Sequence, residues 1–190
     1  MALVLALATG CASSGSSASP DGPGLTTAVT GSMDAPVPAG RIPGLTPAPA
    51  PFQAFEQVKV TVVTADGHTH SPCMLVARTG PARDQGLMGV TDPKLAGHAG
   101  MVFAFAGDVT GTFWMKDTVI PLSVVFLDRS GHRISSSDMV PCPTSTAHCP
   151  LYPAAAPYRW AIEVPAGQLG GLGLAASDHP EVTVGGACPT

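Results

Sequence analysis

Trp114, Lys116 and Asp117 stand almost side by side in the run from Gly111 to Asp128, GTFWMKDTVIPLSVVFLD. An indole, an ammonium and a carboxylate this close could line a shallow polar-aromatic pocket of the kind that takes sugars or peptides. If Thr112 to Met115 is a strand, Trp114 and Lys116 share one face and Phe113 and Met115 the other. Arg83, on a short helix predicted nearby, completes an expected ligand-binding set of Arg83, Trp114, Lys116 and Asp117. The same residues could instead staple that helix to a sheet through an ion pair, with the indole serving as packing.

Other chemistries compete for the remaining polar residues. Asp117, Asp128 and Glu163 are the carboxylates nearest the apolar segments, and a hydrolase would need two of them facing one cleft. A hydrolase using Asp117 or Asp128 is therefore one alternative; the plainer reading has Asp128 and Glu163 closing turns or pairing with Arg83 or Lys116. His68 and His70 fall on one strand face and read either as a two-residue metal clip or as a solvated edge. Met88, Met101, Met115 and Met139 offer soft thioethers to Cu(I), but methionine is also the ordinary filler of irregular cores. A copper or zinc delivery protein is thus a further alternative. No Gly-x-Ser-x-Gly elbow, phosphate loop or dinucleotide fingerprint occurs. No catalytic residue, resident metal or cofactor is assigned, and a binding or accessory domain is favoured over an enzyme.

The elements that must position these side chains read mostly as strands. Val58, Val60 and Val62 alternate with Lys59 and Thr61, Asp66-Gly67 supplies a turn, and Thr69 to Val76 runs back. Thr79 with Pro81 marks a helix start, and Arg83 to Met88 completes a short helix ending at Gly89. Gly100 to Phe105, Thr112 to Met115, Leu122 to Asp128 and His132 to Met139 follow, the last two joined at Arg129-Ser130-Gly131. Tyr158 to Val164 and Glu181 to Val184 complete the set. Leu122, Val124 and Phe126 point one way and Val125 and Leu127 the other, so this strand must be covered on both faces. Pro121, which cannot donate to a ladder, should open it. The fold class expected is mainly β, a compact sandwich or barrel-like domain with one or two short helices.

Several of these residues also carry a resemblance. Arg83-x-x-Gly86-Leu87-Met88-Gly89, Gly100-Met101-x-Phe103-x-Phe105, Phe113-Trp114-Met115-Lys116-x-Thr118-x-x-Pro121-Leu122-x-x-x-Phe126-x-Asp128 and Glu163-Val164-x-Ala166-Gly167 occur in that order. Together they resemble the domain of unknown function family 192, over about Val58 to Val184. The resemblance implies a compact, mainly β domain, often found in exported proteins, and it brings no accepted catalytic residues. This chain carries Asp117 where the family usually has Asn.

The amino terminus bears on location. Ala2 to Ala8 form a short apolar run before Thr9, Gly10 and Cys11, which reads as a lipoprotein signal whose cysteine is lipidated. Ala8 stands where Leu, Val or Ile is usual, and no Lys or Arg precedes Arg41, so the natural start is expected upstream. A cleaved secretory peptide is the plainer reading. The run is shorter than the roughly 20 residues a spanning helix needs, so a lipid on Cys11 would anchor the protein to the outer face of a membrane. Residues 12–55, rich in Ser, Gly, Pro and Ala, read as a disordered tether with a reach of about 40 Å.

Residues 56–190 then form a single domain, expected to be monomeric. Cys73, Cys142, Cys149 and Cys188 make an even number in a chain expected to leave the cytoplasm. The short loop between Cys142 and Cys149 favours pairing those two, which leaves Cys73 with Cys188. On loop entropy the short bridge contributes about 2.5 kcal/mol and the long one about 5. A metal site of Cys142, Cys149 and His148 is the alternative, though its spacing matches no zinc pair. A formal charge of -4 argues against a nucleic-acid partner. The partners expected are the membrane, through Cys11, and an envelope glycan or peptide.

Overall fold

The structure, a computed structural model, describes residues 35–145 and 148–189. Cys11, the expected signal and the first part of the expected tether lie outside them. The elements in chain order are β1 (Thr46–Pro47), β2 (Glu56–Val63), β3 (Thr69–His70), β4 (Cys73–Ala77), α1 (Gly80–Gln85), β5 (Met101–Val109), β6 (Thr112–Trp114), β7 (Leu122–Leu127), β8 (Arg133–Met139), β9 (Leu151–Pro153), β10 (Tyr158–Pro165) and β11 (Glu181–Val184). One large mixed sheet has the order β1-β2-β4-β5-β10-β7-β8, with β3 and β11 also on β2, and β6 pairs with β9 in a separate two-stranded arm. Among the described strands, only β4 and β5 pair in parallel. A parallel neighbour needs a crossover, and the segment holding α1 supplies it.

Alternation along the central strands loads both faces of the sheet. Leu75, Met101, Phe103, Phe105, Val124, Phe126 and Ala161 belong to one core, while Val76, Val102, Ala104, Val125, Leu127 and Ile162 belong to the other. Every residue of β7 is buried, as its doubly apolar pattern requires. Strand β2 changes neighbours along its length: Glu56 to Lys59 pair with β4 and Val60 to Val63 with β11, while β1 pairs at Glu56 and Gln57 and β3 at Val62 and Val63. The sheet curls until a bridge between His132 and Glu181 joins its two ends, which stops short of a closed barrel. This is the compact, mainly β domain expected from the strand pattern.

Local boundaries differ where backbone groups overrule the pattern. Thr79 caps α1 by accepting from the Ala82 N–H, but the helix ends at Gln85 rather than running to Gly89. Gly86 stops it by taking a φ of 47° while its N–H still reaches the Ala82 carbonyl. The return strand expected from Thr69 to Val76 is broken at Ser71 and Pro72, where proline has no N–H to give. Strand β9, with Pro150 before it and Pro153 at its end, was hidden by those prolines.

The expected tether needs a larger correction. From Ala35 onward the chain packs on the domain: Val37 and Ile42 are buried in the core on one face of the sheet, Phe52 and Phe55 in the core on the other. The Val37 N–H donates to the Arg78 carbonyl at 3.0 Å, and the Arg78 guanidinium returns a bond to the Val37 carbonyl at 2.8 Å. Average composition concealed these apolar anchors, because they are spaced singly among prolines and small residues. The cysteines pair as expected, Cys73 with Cys188 and Cys142 with Cys149.

The junction that brings the sheet ends together rests on Gly131. Its φ is 85°, and a Cβ there would lie 1.9 Å from the Val182 carbonyl oxygen. Gly131→Ala therefore must either separate β11 from the β7–β8 turn or distort that turn. A loss of about 3 kcal/mol in stability is expected, read as a lower urea midpoint.

Candidate functional site

A cavity of about 380 Å³ lies between α1, the turn that follows it, and β6. Its walls are built by three separate devices. Arg83 forms the first: one guanidinium nitrogen donates to the Ala104 carbonyl at 2.9 Å, another to the Ala35 carbonyl at 3.3 Å, and the cation sits 5.0 Å from the centre of the Phe105 ring. One side chain thereby ties the helix, β5 and the segment before β1 together. Phe103 and Phe113 form the second wall, packed edge to face with ring centres 4.9 Å apart.

The third device is the floor. Glu163 lies opposite Met101 on β5 and Val124 on β7, on the face of β10 that Ala161 shares. Only 4% of its surface is exposed, and its carboxyl lines the cavity. Burial alone pushes its pKa up to about 8, with no hydrogen bond or nearby charge offsetting it. The carboxyl is therefore largely neutral at pH 7. A buried polar group without a partner is costly, and such groups cluster where a protein acts on something else.

The mouth mixes the exposed Trp114 ring with the polar side chains of Asp84, Gln85 and Thr112, and it includes an open strand edge. Trp114 is 50% exposed and pairs across the two-stranded arm with Leu151, which is 61% exposed. The register also sets Thr112 opposite Pro153 and Phe113 opposite Tyr152. Because Pro153 has no N–H, Thr112–Pro153 cannot be a pair that exchanges two hydrogen bonds, so the doubly bonded pair is Phe113–Tyr152. The N–H and C=O groups of Thr112 and Trp114 consequently point to the other edge of β6. No backbone or side-chain group among the described residues bonds to them there, and both residues line the cavity.

Of the four residues expected to bind ligand, the structure brings Arg83 and Trp114 to this cavity. Lys116 is exposed and Asp117 half-buried, and neither lines it. Asp117 has a different task. Its φ is 55°, in the left-handed region that Asn and Asp tolerate best, its carbonyl accepts from the Gly89 N–H at 2.9 Å, and its carboxylate accepts from the Thr144 hydroxyl at 2.7 Å. Asp in place of Asn at this position therefore preserves the conformation. The turn it makes places Thr118 against the cavity.

The other candidates disperse. The Asp128 carboxylate accepts from the Ser130 and His132 N–H groups and so closes the β7–β8 turn, away from Asp117 and Glu163. Met101, Met115 and Met139 are buried in the core, and only Met88 reaches the cavity. His68 is exposed beside Asp66, and among the described residues no group of three His, Cys, Asp or Glu side chains is placed to hold a metal ion. Glu163 was weighed as a carboxylate but not placed in the binding set. The signal was present: Trp160-Ala161-Ile162-Glu163-Val164 is a strand apolar on both faces, in which a glutamate cannot reach bulk water.

Residues 61–182 match the family DUF192, described as "Uncharacterized ACR". The chain belongs to this family. Every residue that lines the cavity lies within the matched DUF192 segment, whereas β1 and the segment before it lie outside. Two crystal structures are similar. One is a protein of unknown function from Novosphingobium aromaticivorans, with a TM-score of 0.59 and 26% identity, covering 77% of this chain and 97% of that one. The other is a protein from Sinorhizobium meliloti described as a candidate transcription regulator, with a TM-score of 0.57 and 26% identity, covering 68% of this chain and 94% of that one. No curated protein matches the chain.

The raised pKa of Glu163 makes the stability of this DUF192 domain pH-dependent. The folded state keeps the proton that the unfolded chain gives up near 4.5, so stability is fullest below 4.5 and falls as pH rises toward about 8, by roughly 5 kcal/mol in all. Glu163→Gln stays neutral throughout and should remove this contribution. Urea midpoints at pH 5 and pH 8.5 are expected to separate for the wild type and to converge for the variant.

Proposed function

We propose that this DUF192 protein is a ligand-binding module of the cell envelope, held outside the cytoplasm by a lipid on Cys11, and that its α1–β6 cavity takes an extended peptide segment. The observation that carries this reading is the open edge of β6 beside an aromatic cavity. An added strand would bond to the N–H and C=O of Thr112 and Trp114, and a side chain at the matching register would enter the cavity. Backbone pairing then supplies affinity and the cavity supplies selectivity. The two disulfides fit an oxidising compartment. A glycan is the second reading, favoured by the exposed Trp114 ring, on which a sugar could stack.

The two ligand classes are told apart by substitutions at the mouth. Panning a random heptapeptide phage library against the immobilised protein should enrich binders that lose most of their affinity to Trp114→Ala. Trp114 is half exposed, so this change should leave the melting temperature nearly unmoved. Thr112→Pro removes one edge N–H and should weaken peptide binding by about fivefold or more while leaving the near-UV circular dichroism unchanged. A glycan that stacks on Trp114 would be insensitive to Thr112→Pro. Failure to enrich any Trp114-dependent peptide would overturn the peptide reading.

A further inference from the structure

We propose that the group entering the cavity is a primary ammonium, as on a lysine side chain or a free amine, with the walls of Phe103 and Phe113 around its alkyl stem and the Glu163 carboxylate as its counter-ion. The inference rests on the cavity being a binding site, as argued above, and adds the chemical class of what binds. Glu163 is 4% exposed, reaches the cavity and has no partner among the described residues, so the floor lacks one polar group that a ligand must provide. An aromatic wall accepts both the methylenes of such a stem and the positive charge at its end.

The charges around the cavity favour a cation over an anion. Arg83, Asp84 and Glu163 are the ionisable residues among those described that line it. The Arg83 guanidinium already serves two carbonyls and the Phe105 ring. Its charge is felt at the Tyr158 phenol, where it partly counters the upward push of burial, but it leaves no mark on Glu163. The sheet neighbours of Glu163, Met101 and Val124, are uncharged, and so are Leu87, Met88 and Thr118, which line the same cavity from the post-helix turn and from the turn before β7. Once Glu163 ionises, the cavity holds two carboxylates and one engaged guanidinium. A carboxylate or phosphate ligand would meet the opposite balance.

The proton accounting gives the test its signature. An incoming ammonium keeps its three protons, and the Glu163 carboxyl releases one to solvent as the ion pair forms. Affinity should therefore rise about tenfold per pH unit up to about 8, where Glu163 ionises unaided, and stay level until the amine itself deprotonates near 10.4.

The experiment titrates the full protein with n-pentylamine, and with 1-hexanol as an uncharged probe of similar length, between pH 6 and 9.5. Trp114 fluorescence and calorimetry provide the readouts. The amine is expected to follow the pH profile above; Glu163→Gln should lose at least tenfold in amine affinity at pH 8 and lose the pH slope, with hexanol affected equally little in both proteins. On the unaltered protein, the 13C carboxyl shift of Glu163 should show its titration midpoint falling when the amine is added, a readout that does not depend on the variant folding. Equal binding of amine and alcohol, a flat pH profile, or an unmoved Glu163 midpoint would overturn the proposal. Peptides that need Trp114 but carry no amine at the inserted position would overturn it while leaving the peptide reading intact. Amine binding without peptide binding would do the reverse.

Discussion

The structure depends on β10 being buried on both faces. This strand pairs with β5 on one side and β7 on the other, and its residues alternate between the two cores. From Ala161 to Val164 the strand has no solvent face on which to set a charged residue, whereas Arg159 nearer its start is partly exposed and pairs with Asp108. Glu163 is there nonetheless, and the fold handles it by leaving a cavity over the carboxyl and letting burial keep the group protonated. Removing water from a carboxylate costs more than any single packing contact returns, so the position persists against stability. Natural sequences break the local rule in this way at sites that serve something beyond folding.

Beside side-chain pairs such as Arg159 with Asp108 and Ser123 with Asp138, two kinds of polar connection shape the surroundings of that strand. Those made by Asp128, Asp117 and Thr79 close turns or cap the helix, and they consume their own side chains in doing so. Arg83 belongs to a second kind, since its bonds to the Ala35 and Ala104 carbonyls and its contact with the Phe105 ring join the segment before β1, the helix and β5. Two of the acceptors that hold this wall are main-chain carbonyls, which move less than side chains do. Its aromatic part is equally constrained, with Phe113 packed edge to face on both Phe103 and Phe126. A pre-formed wall spares a ligand the cost of ordering it.

Much of the scaffold was legible from alternation and turn chemistry. The strands around Val58, Leu122 and Tyr158, the Thr79 cap, the Gly131 turn and the Cys142–Cys149 bridge follow from local pattern, because period and capping are local properties, and the Cys73–Cys188 bridge follows by elimination. What escaped was non-local. Segment 35–55 looks like a linker by composition, and only its singly spaced Val37, Ile42, Phe52 and Phe55, each finding a place in a core built elsewhere, show otherwise. For the site, sequence proximity grouped Lys116 and Asp117 with Trp114, but the left-handed backbone at Asp117 turns the chain after the strand, and neither side chain lines the cavity. Arg83 and Glu163 reach the cavity from distant positions through the crossover and the sheet register, which spacing along the chain cannot express.

An unpaired strand edge is ordinarily a hazard, since it invites pairing with any extended chain. The edge of β6 is managed in three ways. The strand is only three residues long, its partner β9 ends in Pro153, and its open groups lie beside a cavity bounded on the far side by α1 and the turn after it. A flat sheet from another molecule cannot easily approach an edge bounded in this way, whereas a single narrow segment can. Under the peptide reading proposed above, the same geometry that limits indiscriminate pairing would admit one extended strand, and Glu163 beneath it would add a requirement on what that strand carries.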